Sequence, residues 1–253
     1  MTISKEIWTR YIRGLRKVSD EAAFKFQSFM FAHPAVDRES TNALIELAYA
    51  LATKYGEAAG ELAAQMYDAV AAASGLSLEP AMLAQTATID EAAKAVVGTL
   101  KTGNPDIVAD AVGRMVKMAG VDTTMQNAIR DGAEWAWVPS GETCAFCIAL
   151  ASRGWQTASK SQQKGNHAQH IHANCDCTFA IRFNEDTDVE GYDPDKYLDM
   201  YYDNDAHSSK GRINALRRQL YAEHSEEINA QKRDNYEKRQ ERESSAAEEA
   251  DVS

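Results

Sequence analysis

Apolar positions recur at intervals of three and four through the first 130 residues. Ile7, Tyr11, Leu15, Val18, Ala22, Phe26 and Phe29 form one stripe, and Leu44, Ala48, Leu51, Tyr55, Ala59, Leu62, Met66 and Val70 form a second. This is the period that keeps one face of an α-helix apolar, so it predicts two long amphipathic helices. Punctuation predicts shorter ones behind them. Thr88 with Glu91 three residues on has the form of a capping box, and Asn104 followed by Pro105 has the form of an N-cap with proline at the first helical position. Such stripes make the core of a helix bundle, and residues 1–130 are read as that bundle, without assigned chemistry.

The pattern changes near Asp131. Glu134-Trp135-Ala136-Trp137-Val138 is a short apolar run closed by Pro139, Ser140 and Gly141, which predicts a strand running into a turn. Thr178 to Phe183 alternates, with Phe179, Ile181 and Phe183 on one face of a second strand. Two strands this short need a third strand, a covering helix or a staple. Residues 131–183 are therefore expected to form a small α+β knuckle.

Charge divides the remainder. The chain of 253 residues carries a net charge of −11, which argues against wrapping nucleic acid with the whole surface. No apolar run is long enough to span a bilayer, and the N-terminus lacks a secretory h-region, so neither a membrane span nor classical secretion is expected. Residues 184–210 hold nine acidic and two basic side chains. With no sustained apolar period, this stretch reads as an extended linker or arm. Its tyrosines, Tyr192, Tyr197, Tyr201 and Tyr202, suggest a segment that docks on something.

Candidate chemistry lies between the two strands. All four cysteines of the chain fall in Cys144-x2-Cys147-x24-His172-x2-Cys175-x-Cys177, five soft donors from two turns. Thiolate and imidazole donors at this spacing suit a tetrahedral Zn²⁺, with His167 and His170 as spare donors. The ligands could be three cysteines with His172, four cysteines, or a mixture; reduced core thiols and disulfides are the competing readings. With only Glu142 and Asp176 as nearby carboxylates, a structural site is favoured over a catalytic one. A deaminase reading fails because no H-x-E precedes the first cysteine pair. A thiol protease would need Cys144 or Cys147 activated by His167, His170 or His172.

Past residue 210 a motif repeats. Ile213-Asn214-Ala215-Leu216-Arg217-Arg218-Gln219-Leu220-Tyr221 returns fifteen residues later as Ile228-Asn229-Ala230-Gln231-Lys232-Arg233-Asp234-Asn235-Tyr236. At about 100° per residue, fifteen positions come back to within about 60° of the starting face. One charged helix in residues 211–253, lined by Arg217, Arg218, Lys232 and Arg233, is expected to serve as an interaction element for an acidic protein surface or for nucleic-acid phosphates, followed by a frayed tail after Ser244.

Cys144-Ala145-Phe146-Cys147 after a strand, the His167 to His172 loop, and His172-Ala173-Asn174-Cys175-Asp176-Cys177 before a strand resemble the core of Mu F-like phage head morphogenesis, or minor capsid, proteins. That family carries T-C-x-x-C followed by H-P-x-C-R-C. The likeness covers residues 131–183; Ala173 replaces proline and Asp176 replaces arginine. The helical half and the repeat look like forms from phages of actinobacteria. The resemblance implies a virion component made in the host cytoplasm, acting near the portal in procapsid assembly and DNA packaging or exit. Its partners would be the portal or capsid protein, with DNA contact possible through the C-terminal helix. Some relatives are labelled capsid maturation proteases or fused to one, which keeps catalysis at the Cys/His cluster as the alternative.

Overall fold

Both stripes are helices, α1 (Lys5–Ala32) and α2 (Arg38–Ala73), in a computed structural model that describes residues 2–3, 5–139, 143–160, 178–227, 229–230, 232–234, 236–237 and 240. The predicted caps are also present. The Thr88 hydroxyl accepts from Glu91 N while Thr88 N donates to Glu91 Oε2, opening α3 (Ile89–Leu100). Asn104 Oδ1 accepts from Asp106 N ahead of Pro105, opening α4 (Pro105–Asp131). α4 stops at Gly132, whose φ of 65° puts it in the left-handed region that glycine adopts without strain.

α1, α2 and α4 pack on one another, with α3 against α2 and α4. Small residues set the spacing. A Cβ added to Gly120 on α4 would stand 3.1 Å from the Ala59 carbonyl oxygen of α2 and 3.2 Å from the Tyr11 hydroxyl of α1; one added to Gly113 would stand 3.2 Å from the Ser19 carbonyl. The Ala-rich composition of the stripes thus brings backbone to backbone, and Phe26, Leu44, Tyr67, Val70 and Met125 fill the space between.

An extended segment joins α2 to α3 and lies along α4. Asn127 is fully buried; its Oδ1 accepts from Met82 N at 3.0 Å and its Nδ2 donates to Met82 O at 2.8 Å. Thr123 Oγ1 accepts from Ala84 N, Asp68 Oδ1 accepts from Ala81 N, and the Arg130 guanidinium donates to the carbonyls of Glu79 and Pro80. Side chains of two helices thereby satisfy a strap that has no ladder of its own. Gly60 makes room for it, since a Cβ there would meet Thr123 Oγ1 at 3.2 Å.

Strand β1 (Thr2–Ile3) pairs in parallel with β5 (Asp188–Val189), and a three-stranded antiparallel sheet has the order β3-β2-β4. Its members are β2 (Glu134–Val138), β3 (Gln156–Thr157) and β4 (Thr178–Arg182). The two expected strands are β2 and β4, paired Trp135 to Ile181 and Trp137 to Phe179; β3 is the third strand they needed. Phe179, Ala180 and Ile181 are all buried, so the sheet is covered on both faces. β4 packs on α4 and α2, and β2 packs on the helix α5 (Ala145–Ala151). The pattern change near Asp131 is a change of secondary structure inside one continuous core, because Trp135, Trp137 and Ile181 belong to the same apolar cluster as Tyr67 and Val70.

The expectation of an extended arm over residues 184–210 is corrected. Residues Pro194–Tyr202 form helix α6, with the Asp193 carboxylate accepting from Asp195 N and Lys196 N and proline at the first helical position. The single long C-terminal helix is corrected as well. Helix α7 (Ser209–Glu223) ends at His224, and the helix resumes at Ser225 with Glu226 and Glu227 in its first turn and Glu227 bonded to the His224 ring. Acidic side chains at a helix start are favourable, which allows the second repeat to begin a new helical stretch.

Gly120→Ala is expected to destabilise the chain by about 1–3 kcal/mol in urea denaturation, because a backbone carbonyl cannot move aside. Gly98→Ala, where nothing lies within 4 Å, should be neutral or stabilising by up to about 1 kcal/mol. Burial, helped by Glu91, raises the Asp122 carboxyl from its usual value to about 6. The folded state therefore holds this proton more tightly than the unfolded state, and stability falls as pH climbs from about 4 through 6. Asp122→Asn should match the parent below pH 4 and exceed it by an amount that grows to at most about 3 kcal/mol at pH 8, read from chemical denaturation across pH.

Candidate functional site

Helix α5 carries the first cysteine pair. Cys144 is its N-cap residue, with extended backbone and a carbonyl that accepts from Ile148 N, and Cys147 lies three residues on in the first turn. Cys147 is 1% exposed and part of the main core, whereas Cys144 is half-buried at its edge. The knuckle expected after β2 is thus a helix start, which sets two sulfur-bearing positions one turn apart. His172, Cys175 and Cys177 lie outside the described residues, as do His167 and His170. Among the described residues, no group of three or more His, Cys, Asp or Glu side chains is placed to hold a metal ion.

α5 has two apolar contacts. Cys147 and Leu150 face the main core, while Ala145 and Ile148 form a second cluster with Leu216 of α7, flanked by Tyr197, Met200 and Tyr201 of α6 and by Ile213 and Leu220. The acidic, tyrosine-rich stretch is therefore folded onto the cysteine-bearing helix. Tyr192 makes the junction: its hydroxyl donates to the Ala151 carbonyl at 3.0 Å and its ring meets Trp155 edge-on at 5.7 Å. Arg182 lies over the other partner of that contact, 4.6 Å from the Trp155 ring centre, and bonds Glu134 across the strands at 2.6 Å. Burial holds the Tyr192 phenol well above its ordinary pKa, so it remains a donor at any physiological pH. Sequence reasoning singled out this tyrosine but missed Trp155 and Arg182, whose signal would have been the aromatic residue following the Gly154 turn.

A second junction ties the sheet to the bundle. Tyr67 donates to Asp131 Oδ2 at 2.8 Å and packs edge-on against Phe183. Arg130, which holds the strap carbonyls, also grips both Asp131 oxygens and keeps that carboxyl below the usual range.

The four basic positions of the repeat are all exposed. Arg217 and Arg218 project from α7 on the side away from Leu216. Lys232 lies beyond the His224 break with its ammonium 5.6 Å from the Tyr221 ring centre, so the two copies meet. Arg212, which sequence reasoning passed over, stacks on Tyr202 at 4.2 Å and joins α7 to α6.

The model of the VG15 protein family matches residues 2–204, and the chain belongs to that family. It is a family of viral gene products, which makes this a phage-type protein. No curated protein and no solved structure matches the chain. Among the described residues, no helix is long and apolar enough to cross a membrane.

Leu216→Ala removes the center of the second cluster and is expected to cost about 2–4 kcal/mol of local stability. Limited proteolysis should then cut between residues 184 and 224 while the bundle stays resistant; protection equal to the parent would mean that α6 and α7 are held by something other than α5.

Proposed function

We propose that this chain is a minor capsid protein of the phage head, a Mu F-like head morphogenesis protein that serves procapsid assembly and DNA packaging or exit near the portal by docking. The observation that supports this reading best is the clamped helix α5. One face is built into the main core and another carries α6 and α7, so the cysteine knuckle joins a rigid body to a charged outer arm. Such a joint transmits position rather than performing chemistry. Its partner is the portal or capsid protein, its place is the virion, and its assembly takes place in the host cytoplasm.

A zinc ion fits this role as a structural staple. Cys144 and Cys147, one helical turn apart, would supply two thiolates, with two of His172, Cys175 and Cys177 completing a tetrahedral set. The burial of Cys147 at 1% exposure suits a ligand or core thiol and not a nucleophile that must reach a polypeptide substrate. That burial favours docking over capsid maturation proteolysis.

Two measurements test this. Elemental analysis of protein purified without chelator should give about one equivalent of zinc, and less than about half an equivalent removes the metal from the proposal. Cys144→Ser and Cys147→Ser should lose metal and the order of residues 131–183 together, where a nucleophile would lose only activity. Purified phage particles should contain the chain, and immobilised full-length chain should retain portal or capsid protein. Its absence from virions would overturn the head-assembly reading.

A further inference from the structure

The two copies of the C-terminal motif differ in an informative way. In the first copy the residues that fasten α7 to α5 are Leu216, at 2% exposure, and Leu220. The second copy has Gln231 and Asn235 in those places. What the copies share is Asn214 and Asn229, a basic pair, and Tyr221 and Tyr236. A repeat kept for packing would keep its leucines; this one keeps the outward set.

On an α-helix these shared residues fall together. Taking Arg217 as the origin, Tyr221 stands at about 40°, Asn214 at about 60° and Arg218 at about 100°, with Leu216 and Leu220 on the opposite side. Lys232, Tyr236, Asn229 and Arg233 occupy the same arc, while Asp234 lies about 200° round from Lys232. The tyrosines are 47% and 64% exposed.

The cations are also left unneutralised within the chain. Arg10, Arg16, Lys25, Arg130 and Arg182 each reach a carboxylate within 3.6 Å. Neither Arg217 nor Arg218 has an acidic residue three or four positions away in either direction, and neither makes an ion pair among the described residues. In a chain of net charge −11 that has carboxylates to spare, an adjacent arginine pair without a partner points outward to another molecule's negative charge.

We propose that this face binds the phosphodiester backbone of nucleic acid, each copy of the motif contacting phosphates with its basic pair. A repeating cationic unit matches a repeating anion, and an exposed tyrosine between cations offers a surface on which an unpaired base can stack. The proposal deepens the head-assembly reading and rests on it only for the place where the chain meets DNA. The acidity of the rest of the chain confines the contact to this arm, because exposed charges are screened beyond about 8 Å at physiological salt.

The test uses the full-length chain, a fluorescein-labelled 30-base-pair duplex and a labelled thymidine 30-mer, titrated at several salt concentrations. Four phosphate contacts predict that duplex affinity falls about 100-fold between 50 and 200 mM salt. The combined variant Arg217→Gln, Arg218→Gln, Lys232→Gln and Arg233→Gln changes only exposed positions and should melt like the parent. Its log–log salt dependence should be flatter by about three to four units. Tyr221→Ala with Tyr236→Ala should weaken the single strand about tenfold with an unchanged salt slope and leave the duplex unaffected if bases stack. Absence of binding to either probe at 50 mM salt, or binding unchanged in the fourfold variant, would overturn the proposal. So would loss of portal or capsid retention in that variant when the parent binds no DNA, which would assign the face to an acidic protein. A chain that binds DNA as expected but is missing from virions would overturn the head-assembly reading and leave this one standing.

Discussion

The contact on which the rest depends is the backbone-to-backbone approach of α2 and α4 at Gly120 and Ala59. Attraction between packed atoms falls steeply with distance, so a helix pair set this close gains contact along its length while leaving little room for side chains between the axes. Large residues are pushed to the margins, where Tyr67, Met125 and Phe26 seal the bundle. The margin at the C-terminal end of α4 becomes the seat of the sheet. There, Tyr67 reaches Asp131 and Phe183 from α2, so the helix spacing fixes where β4 can lie, and β4 fixes β2 and α5 in turn.

This hierarchy explains why the cysteine-bearing helix is the most constrained short element of the chain. It is held by the sheet, by the core and by α6 and α7. Seven residues of helix would be marginal alone; tertiary packing supplies the stability, and the outer arm gains a fixed orientation from it. The same economy governs charge. Arg182 and Arg130 are each used several times over, across strands, onto an aromatic ring and onto strap carbonyls, whereas the repeat's arginines stay outside this network.

Much of the bundle was legible. The stripes of α1 and α2 and the caps at Thr88 and Asn104 are local signals, and local signals survive tertiary context when the apolar period agrees with them. β2 and β4 were legible from composition, but their burial on both faces was not, since covering helices leave no mark on a strand's own alternation. The strap was invisible: its backbone is satisfied by Asn127, Thr123 and Arg130, which sit some forty residues away. Helix α6 was missed despite a readable signal, Asp193 before Pro194, the same device as Asn104 before Pro105; nine acids drew the eye to charge, while Tyr197, Met200 and Tyr201 decided the packing. For the candidate site, the sequence showed the cysteine spacing but not that Cys144 and Cys147 begin a helix. The partition of their surroundings between core and arm is a long-range matter.

The strap has a consequence for variation. Its position is held through main-chain N–H and C=O groups, which every residue but proline possesses, and its Met82 and Leu83 side chains are largely exposed. The instructions for this segment are therefore written in the helices that receive it. Related chains can exchange the residues of the strap freely, provided that the buried asparagine, the threonine a turn before it and the two small residues opposite persist; the most changeable-looking stretch of the bundle would then be among its most faithfully placed.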